Sequence, residues 1–259
     1  MGTLLEVRRV SRFFGGLAAL AEVSLSVGEG EVVGLIGPNG AGKTTALSII
    51  SGFLRPSAGS VRYCDREIAG LPAWQITRLG VARTFQATTV FAGATVFDNL
   101  ARAALVRASY PLFGQLVGSH ASRAVEKTVR AKVEALAEEF ALSCWLSRPA
   151  GSLSYGHQKR LGVALALATE PQLLLLDEPV AGLNPQECTE FATLLKRLQQ
   201  SRSLSLLLVE HHIQFVTGLC QRVVALDHGR KIADAPPAEL LSNPAVVEAY
   251  LGSEDDDFA

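Results

Sequence analysis

At 259 residues the chain suits one ordinary α/β domain, or a core carrying a small inserted subdomain. Its 24 Lys and Arg against 25 Asp and Glu leave a net charge of −1, without the basic excess of a nucleic-acid binder, so no nucleic-acid partner is expected. Apolar residues at 48%, charged residues at 19% and a mean hydropathy of +0.24 provide for a sizeable core, exclude general disorder and leave room for an apolar docking surface.

In chain order, Leu4–Val10 and Val23–Val27 alternate like half-buried strands. Glu31–Ile36 is a short β-branched run ending at a Gly-rich turn, which predicts a buried strand. A helix is predicted from Gly42–Lys43 through Leu47, Ile49 and Ile50, stopping near Gly52. The cluster Arg55–Gly59 reads as a turn before a strand at Ser60–Tyr63. From about Thr88 to Ser152 the pattern is mostly helical, with Val125, Val129, Val133, Leu136 and Phe140 near helical spacing. This stretch parts two β-rich halves and predicts an inserted helical subdomain. His157–Thr169 is apolar nearly all round, as in a buried helix. Leu173–Leu176 and Leu204–Val209 are solid apolar runs, as expected of parallel strands covered on both faces. Arg222–Leu226 and Lys231–Ala233 read as a final strand pair around His228-Gly229-Arg230. The acidic residues 253–259 are expected to fray.

None of the greasiest runs reaches the roughly 20 residues that a membrane-spanning helix needs. Glu6, Arg8 and Arg9 stand where a signal peptide needs apolar residues. Cys64, Cys144, Cys188 and Cys220 are scattered without a C-x-x-C pair, as in a reducing cytosol. A cytosolic chain is expected.

Two motifs carry chemistry. Gly37-Pro38-Asn39-Gly40-Ala41-Gly42-Lys43-Thr44 satisfies G-x-x-x-x-G-K-[ST] between a predicted strand and a predicted helix. Its glycines let successive backbone N–H groups converge, and the helix dipole adds positive charge, so the loop is suited to a polyphosphate. Lys43 is placed to reach the β- and γ-phosphates and the Thr44 hydroxyl to ligate Mg²⁺. The loop alone leaves kinases, GTPases and transport ATPases open. Leu173–Leu176 then runs into Asp177 and Glu178, two carboxylates at the carboxyl end of a strand, where open α/β sheets bind ligands. With a phosphate loop present, Asp177 is expected to face Mg²⁺ and Glu178 to polarise an attacking water.

Leu153-Ser154-Tyr155-Gly156-His157 opens the buried helix about twenty residues before those carboxylates. In this arrangement it resembles the signature motif of the ABC (ATP-binding cassette) ATPases, and the resemblance covers nearly the whole chain. Gln86 in Ala82-Arg-Thr-Phe-Gln86 matches that family's Q-loop glutamine, Ala181-Gly-Leu-Asn184-Pro185 its D-loop, and His211 its switch histidine. Phe14 stands where the family places an aromatic against adenine.

The resemblance implies a P-loop NTPase (RecA-like) α/β fold with a mostly parallel sheet, N-terminal antiparallel strands and an inserted helical subdomain. The implied division is a core at about 1–87 and 160–235, a helical subdomain at about 88–159 and a terminal segment at about 236–252. It implies ATP and Mg²⁺ as ligands, with Thr44, Gln86 and Asp177 serving the metal and Glu178, His211 and Gln86 serving catalysis. The nucleotide contacts would come from Phe14, residues 37–45 (Thr45 included) and, across a head-to-tail dimer, Ser154, Tyr155, Gly156 and His157. Asn184 would lie at the dimer seam.

Tyr155, His157 and Asn184 depart from the general pattern of Gly, Gln or Glu, and Asp. Together with Phe14-Gly-Gly-Leu17, an extended 107–123 region and the tail Asn243–Gly252, they look like the longer ATPase subunit of branched-chain amino acid importers. That branch implies integral-membrane permease subunits, a second cassette (identical or paralogous) and, indirectly, a periplasmic or extracellular binding protein. It also implies a place on the inner face of the plasma membrane. Related systems for urea, amides or lipopolysaccharide export use similar subunits. Soluble cassettes of DNA repair or translation carry coiled coils, a second cassette or a basic surface, none of which is seen, and a P-loop kinase would lack the Ser154 signature and His211.

Overall fold

The computed structural model describes residues 2–85, 90–107, 120–240 and 242–251. Its centre is a six-stranded sheet in the order β10-β9-β3-β8-β7-β6. Strands β3 (Val32–Ile36), β6 (Val81–Arg83), β7 (Leu173–Asp177), β8 (Ser205–Val209) and β9 (Arg222–Asp227) run parallel. Only β10 (Arg230–Ala235) is antiparallel, at the edge beside β9. A second, antiparallel sheet has the order β2-β1-β4-β5, formed by β1 (Thr3–Phe14), β2 (Leu17–Gly28), β4 (Ala58–Tyr63) and β5 (Arg66–Glu67).

The solid apolar runs serve two cores at once. Leu173, Leu175, Leu207 and Val209 pack with Leu5 and Val7 of β1 and with Leu47 and Ile50 of α1 (Lys43–Ile50). The alternate residues Leu174, Leu176, Leu206 and Leu208 pack on the opposite side with Leu161, Val163 and Phe191. Period-two alternation thus points every second leucine at a different layer, and neither face can be polar. Truncating any one to alanine would cost about 2–5 kcal/mol.

Helices α2 (Ala73–Leu79), α3 (Val96–Ala104), α4 (His120–Glu139), α5 (Tyr155–Ala168), α6 (Pro185–Arg202) and α7 (Ile213–Leu219) complete most of the layers. Short helices α8 (Pro237–Leu240) and α9 (Pro244–Leu251) close the chain against β10. The helical excursion begins and ends side by side: Val96 N–H donates to Arg148 O and Ala150 N–H to Ala94 O. Helix α3 starts on a reciprocal cap between Thr95 and Asp98. Helix α5 packs against α3, α4 and β6, joining the excursion to the parallel sheet.

Several elements differ from the sequence reading. The first two strands are longer, joined by a tight turn with Gly15 at φ 57°. Helix α5 starts at Tyr155 rather than His157, because Ser154 is its N-cap. Helices α2 and α6 and strand β6 are additional to the predicted elements. Their signals are present in the sequence: Asn184-Pro185-x-Glu187 is an N-cap, an N1 proline and a capping-box glutamate, and Gly80 (φ 117°) ends α2.

Candidate functional site

The phosphate loop connects β3 to α1, as its pattern requires. Gly37 has φ 149°, and a Cβ there would sit 2.1 Å from the Leu226 carbonyl oxygen. Gly42 has φ 97°, and a Cβ would meet Ala19 O at 2.5 Å. Neither position tolerates a side chain. Lys43 is buried, and its Nζ donates to Gly37 O and Pro38 O, both at 2.7 Å. Burial lowers its pKa, against the opposing pull of Glu178 and Asp177. Among the described residues its hydrogen bonds go to neutral carbonyls, so the buried ammonium is suited to take phosphate oxygens in their place. Thr44 and Thr45 line a cleft of about 480 Å³ together with Asn39, Lys43, Glu178 and His211. Gly37 and Pro38 are outside that lining, while Gly40, Ala41 and Gly42 belong to it.

Asp177 ends β7 and Glu178 follows it; Glu178 belongs to the cleft lining and Asp177 does not. Asp177 is buried, and its Oδ2 accepts from Arg83 Nη2 at 2.9 Å. Glu178 takes φ 47°, a left-handed conformation costing a non-glycine residue roughly 1–3 kcal/mol. It is held there by its N–H to Val209 O at 3.0 Å. The turn swings its side chain into the cleft, where Oε1 lies 3.1 Å from His211 Nε2. Glu210, next to that histidine, is buried and accepts from Val180 N–H at 2.9 Å and His211 N–H at 3.1 Å. Burial raises its pKa above the ordinary carboxylate value, although those backbone donors oppose the shift.

Gln86 lies outside the described residues. Phe14, at the tip of the first hairpin, is half exposed, with the Arg12 guanidinium 4.6 Å from its ring centroid. It is absent from the cleft lining, to which its neighbour across the hairpin, Leu17, belongs. Ser154, Tyr155, Gly156 and His157 are also absent from that lining. They form their own cluster: Ser154 Oγ is 2.7 Å from His157 Nδ1, and the His157 ring meets Trp145 at 5.2 Å. A Cβ on Gly182 would come within 2.9 Å of Tyr155, and one on Gly156 within 2.9 Å of Glu187. Glu187 and Asn184 cap α6 reciprocally. The signature segment and the 181–184 loop therefore pack as one unit, in which Asn184 caps a helix as well as aspartate does.

Three residues near the site were not singled out in the sequence. Arg83 sits inside the run leading to Gln86, and nothing local marks it. Glu210 had one signal, a charge directly after an all-apolar strand. The Tyr250 hydroxyl of α9 accepts the N–H of Gly37 at 2.9 Å, and nothing local announces a partner 213 residues away.

A glycine-shaped phosphate cradle between a parallel strand and a helix, with two carboxylates on a nearby strand end, defines the α/β P-loop NTPase class. Residues 20–181 match the ABC transporter family, and residues 230–256 match the family of branched-chain amino acid ATP-binding cassette transporters. The chain is 39% identical over 249 residues to the high-affinity branched-chain amino acid transport ATP-binding protein LivG of Salmonella typhimurium, covering 96% of this chain and 98% of that one. It is equally 39% identical, with the same coverage, to BraF of Pseudomonas aeruginosa, described in the same words. The solved structure of an ABC transporter cassette in its ADP conformation superposes with a TM-score of 0.85 at 29% identity, covering 97% of this chain and all of that one. The chain belongs to the ABC transporter family, as an ATP-binding subunit in which ATP hydrolysis is coupled to transport.

Proposed function

We propose that this chain drives uptake of branched-chain amino acids, as one of two cassettes seated on separate integral-membrane permease subunits at the inner face of the plasma membrane. A periplasmic or extracellular binding protein would deliver the cargo. The observation that carries this reading is the extent of the similarity: it runs over 96% of the chain to LivG and continues into the tail at 230–256. No described helix is long and apolar enough to cross a membrane, which fits a subunit that borrows its channel. Exposed Phe53, Trp74 and Phe85 offer apolar surface for that docking; the first and last stack edge to face at 5.2 Å. The core at about 1–87 and 160–235 would hold the nucleotide, and the helical region at about 88–159 would present the signature.

In this reading residues 37–45 wrap the phosphates of ATP, and Lys43 exchanges its two loop carbonyls for phosphate oxygens. Phe14 stacks on adenine. Thr44 and Asp177, with Gln86 as the third expected donor, would hold Mg²⁺, a hard cation suited to such oxygen ligands. When bound, the cation neutralises charge developing on the phosphate oxygens. Glu178 accepts the proton of the attacking water, and His211 fixes the position of that carboxylate through the contact at 3.1 Å. Ser154, Tyr155, Gly156 and His157 serve the ATP held by the second cassette, with Asn184 at the seam.

The test is co-purification of the tagged chain with its permease and binding protein, then ATP hydrolysis in proteoliposomes. Leucine, isoleucine or valine with the binding protein should stimulate turnover. Stimulation by urea or short amides alone, or co-purification with a lipopolysaccharide-export permease, would reject the cargo assignment.

A further inference from the structure

Arg83 ends β6, in register with Leu175 of β7, which carries its side chain to the foot of Asp177. The ion pair it makes there is almost dry, the two side chains being 6% and 5% exposed. The other prong of the guanidinium, Nη1, donates to Ser48 Oγ at 3.0 Å and Ser51 Oγ at 3.1 Å. Ser48 in turn donates to the carbonyl of Thr44 at 2.7 Å. A continuous chain of polar contacts therefore runs from Thr44 through Ser48 and Arg83 to Asp177. The guanidinium also lies 5.0 Å from the ring centroid of Phe85, the residue before Gln86 in sequence. Arg83 Nε is buried with no acceptor among the described residues, so the fork is directed at the serines and the carboxylate at the expense of its third edge.

We infer that Arg83 is a positioning residue that occupies the counter-charge role on Asp177 until nucleotide arrives, so that a divalent cation binds this site with nucleotide and not alone. A carboxylate buried in an ion pair becomes strongly destabilising when its partner is removed, because the charge is left uncompensated. Arg83 supplies that partner in the nucleotide-free protein and restrains Oδ2. A cation arriving alone must compete with a preformed, desolvated pair. Phosphate oxygens tilt the competition, because they add anionic ligands that Asp177 by itself lacks. The inference rests on the reading of Asp177 as the metal-side carboxylate.

The experiment is thermal unfolding of nucleotide-free protein with and without millimolar MgCl₂ or MnCl₂ as the sole added ligand. Wild type should not respond to either cation. Arg83→Met should lower the midpoint by about 6–20 °C and regain more than half of that loss with cation, because Asp177 then takes the metal as its partner. Arg83→Lys keeps the charge but not the fork. It should ignore cation alone and show a reduced kcat with little change in the KM for ATP. The double variant Arg83→Met/Asp177→Asn removes both charges and should regain stability with no cation response. An Arg83→Met midpoint that falls without cation recovery, a wild type stabilised equally by cation alone, or an Arg83→Lys kcat equal to wild type would overturn the inference. Asp177→Asn alone separates the two levels. If it retains Mg²⁺-dependent hydrolysis, the reading of Asp177 fails. If hydrolysis is lost while Arg83→Met ignores cation, only the role of Arg83 fails.

Discussion

Glu178 occupies a backbone conformation that an ordinary residue avoids, and that turn aims its carboxylate into the cleft and onto His211. Glu178→Gln keeps the shape and hydrogen bonding and removes the basicity. ATP binding should survive while hydrolysis slows about 10²–10⁴-fold, the usual worth of a placed general base. Single-turnover hydrolysis beside nucleotide titration checks both halves, and near-normal turnover would remove Glu178 from the role of base. Glu210 makes a different prediction, about stability. Its pKa is raised chiefly by burial, so above the ordinary value of 4.5 the folded chain holds a proton that the unfolded chain has released. Stability linked to that group is greatest below this value. It declines as pH rises through the window up to the raised value, then levels off. Denaturant unfolding across that window should show wild type losing stability relative to Glu210→Gln as pH rises. A difference independent of pH would contradict it.

The strands were legible as elements because β3, β7 and β8 are apolar on both faces, and few other local structures give such short solid runs. The phosphate loop and the carboxylate pair were legible for a related reason: each is a contiguous string whose chemistry requires its spacing. Helix α6 is harder to see in the sequence, because Asn184 and Pro185 belong both to the D-loop-like run and to the helix entry. The contacts between Arg83 and Asp177 and between Tyr250 and Gly37 had no local signature, since each joins elements far apart in sequence. Helix α9 thereby acts on the phosphate loop directly. Tyr250→Phe removes only the hydroxyl that accepts the Gly37 N–H, a loss of about 1 kcal/mol, or about fivefold in affinity if the loop loses that much order. Calorimetric titration with ADP should show weakening on this scale while the fold is retained. Unchanged affinity would mean that the bond secures the tail alone.

For the whole molecule, the cleft is lined by residues 39–45, Glu178 and His211 but by none of residues 154–157. A site that needs Ser154 must then obtain it from a second chain. Lys43→Ala and Ser154→Ala chains should each fail to close an ATP-bound dimer. Mixed, they should trap nucleotide in one site per dimer, because one composite site carries both defects and the other carries neither. Adding Glu178→Gln to both chains makes that trapped state long-lived enough to count. Robust mixed dimers without recovered binding would place Ser154 within its own site.

The order of the parallel sheet also governs how the chain reaches this state during synthesis. Strand β3 pairs only with β8 and β9, so it emerges early and waits for residues 205–227. Meanwhile β1 and β2 can already pair as a hairpin, and β4 can join β1 before β7 and β8 are made. A nascent chain that stops short of Ser205 would carry β3 with both edges open and β7 without β8, two strongly apolar ribbons able to pair with other chains. Truncated products should therefore aggregate, and the full chain should depend on chaperone shielding until β8 and β9 have left the ribosome.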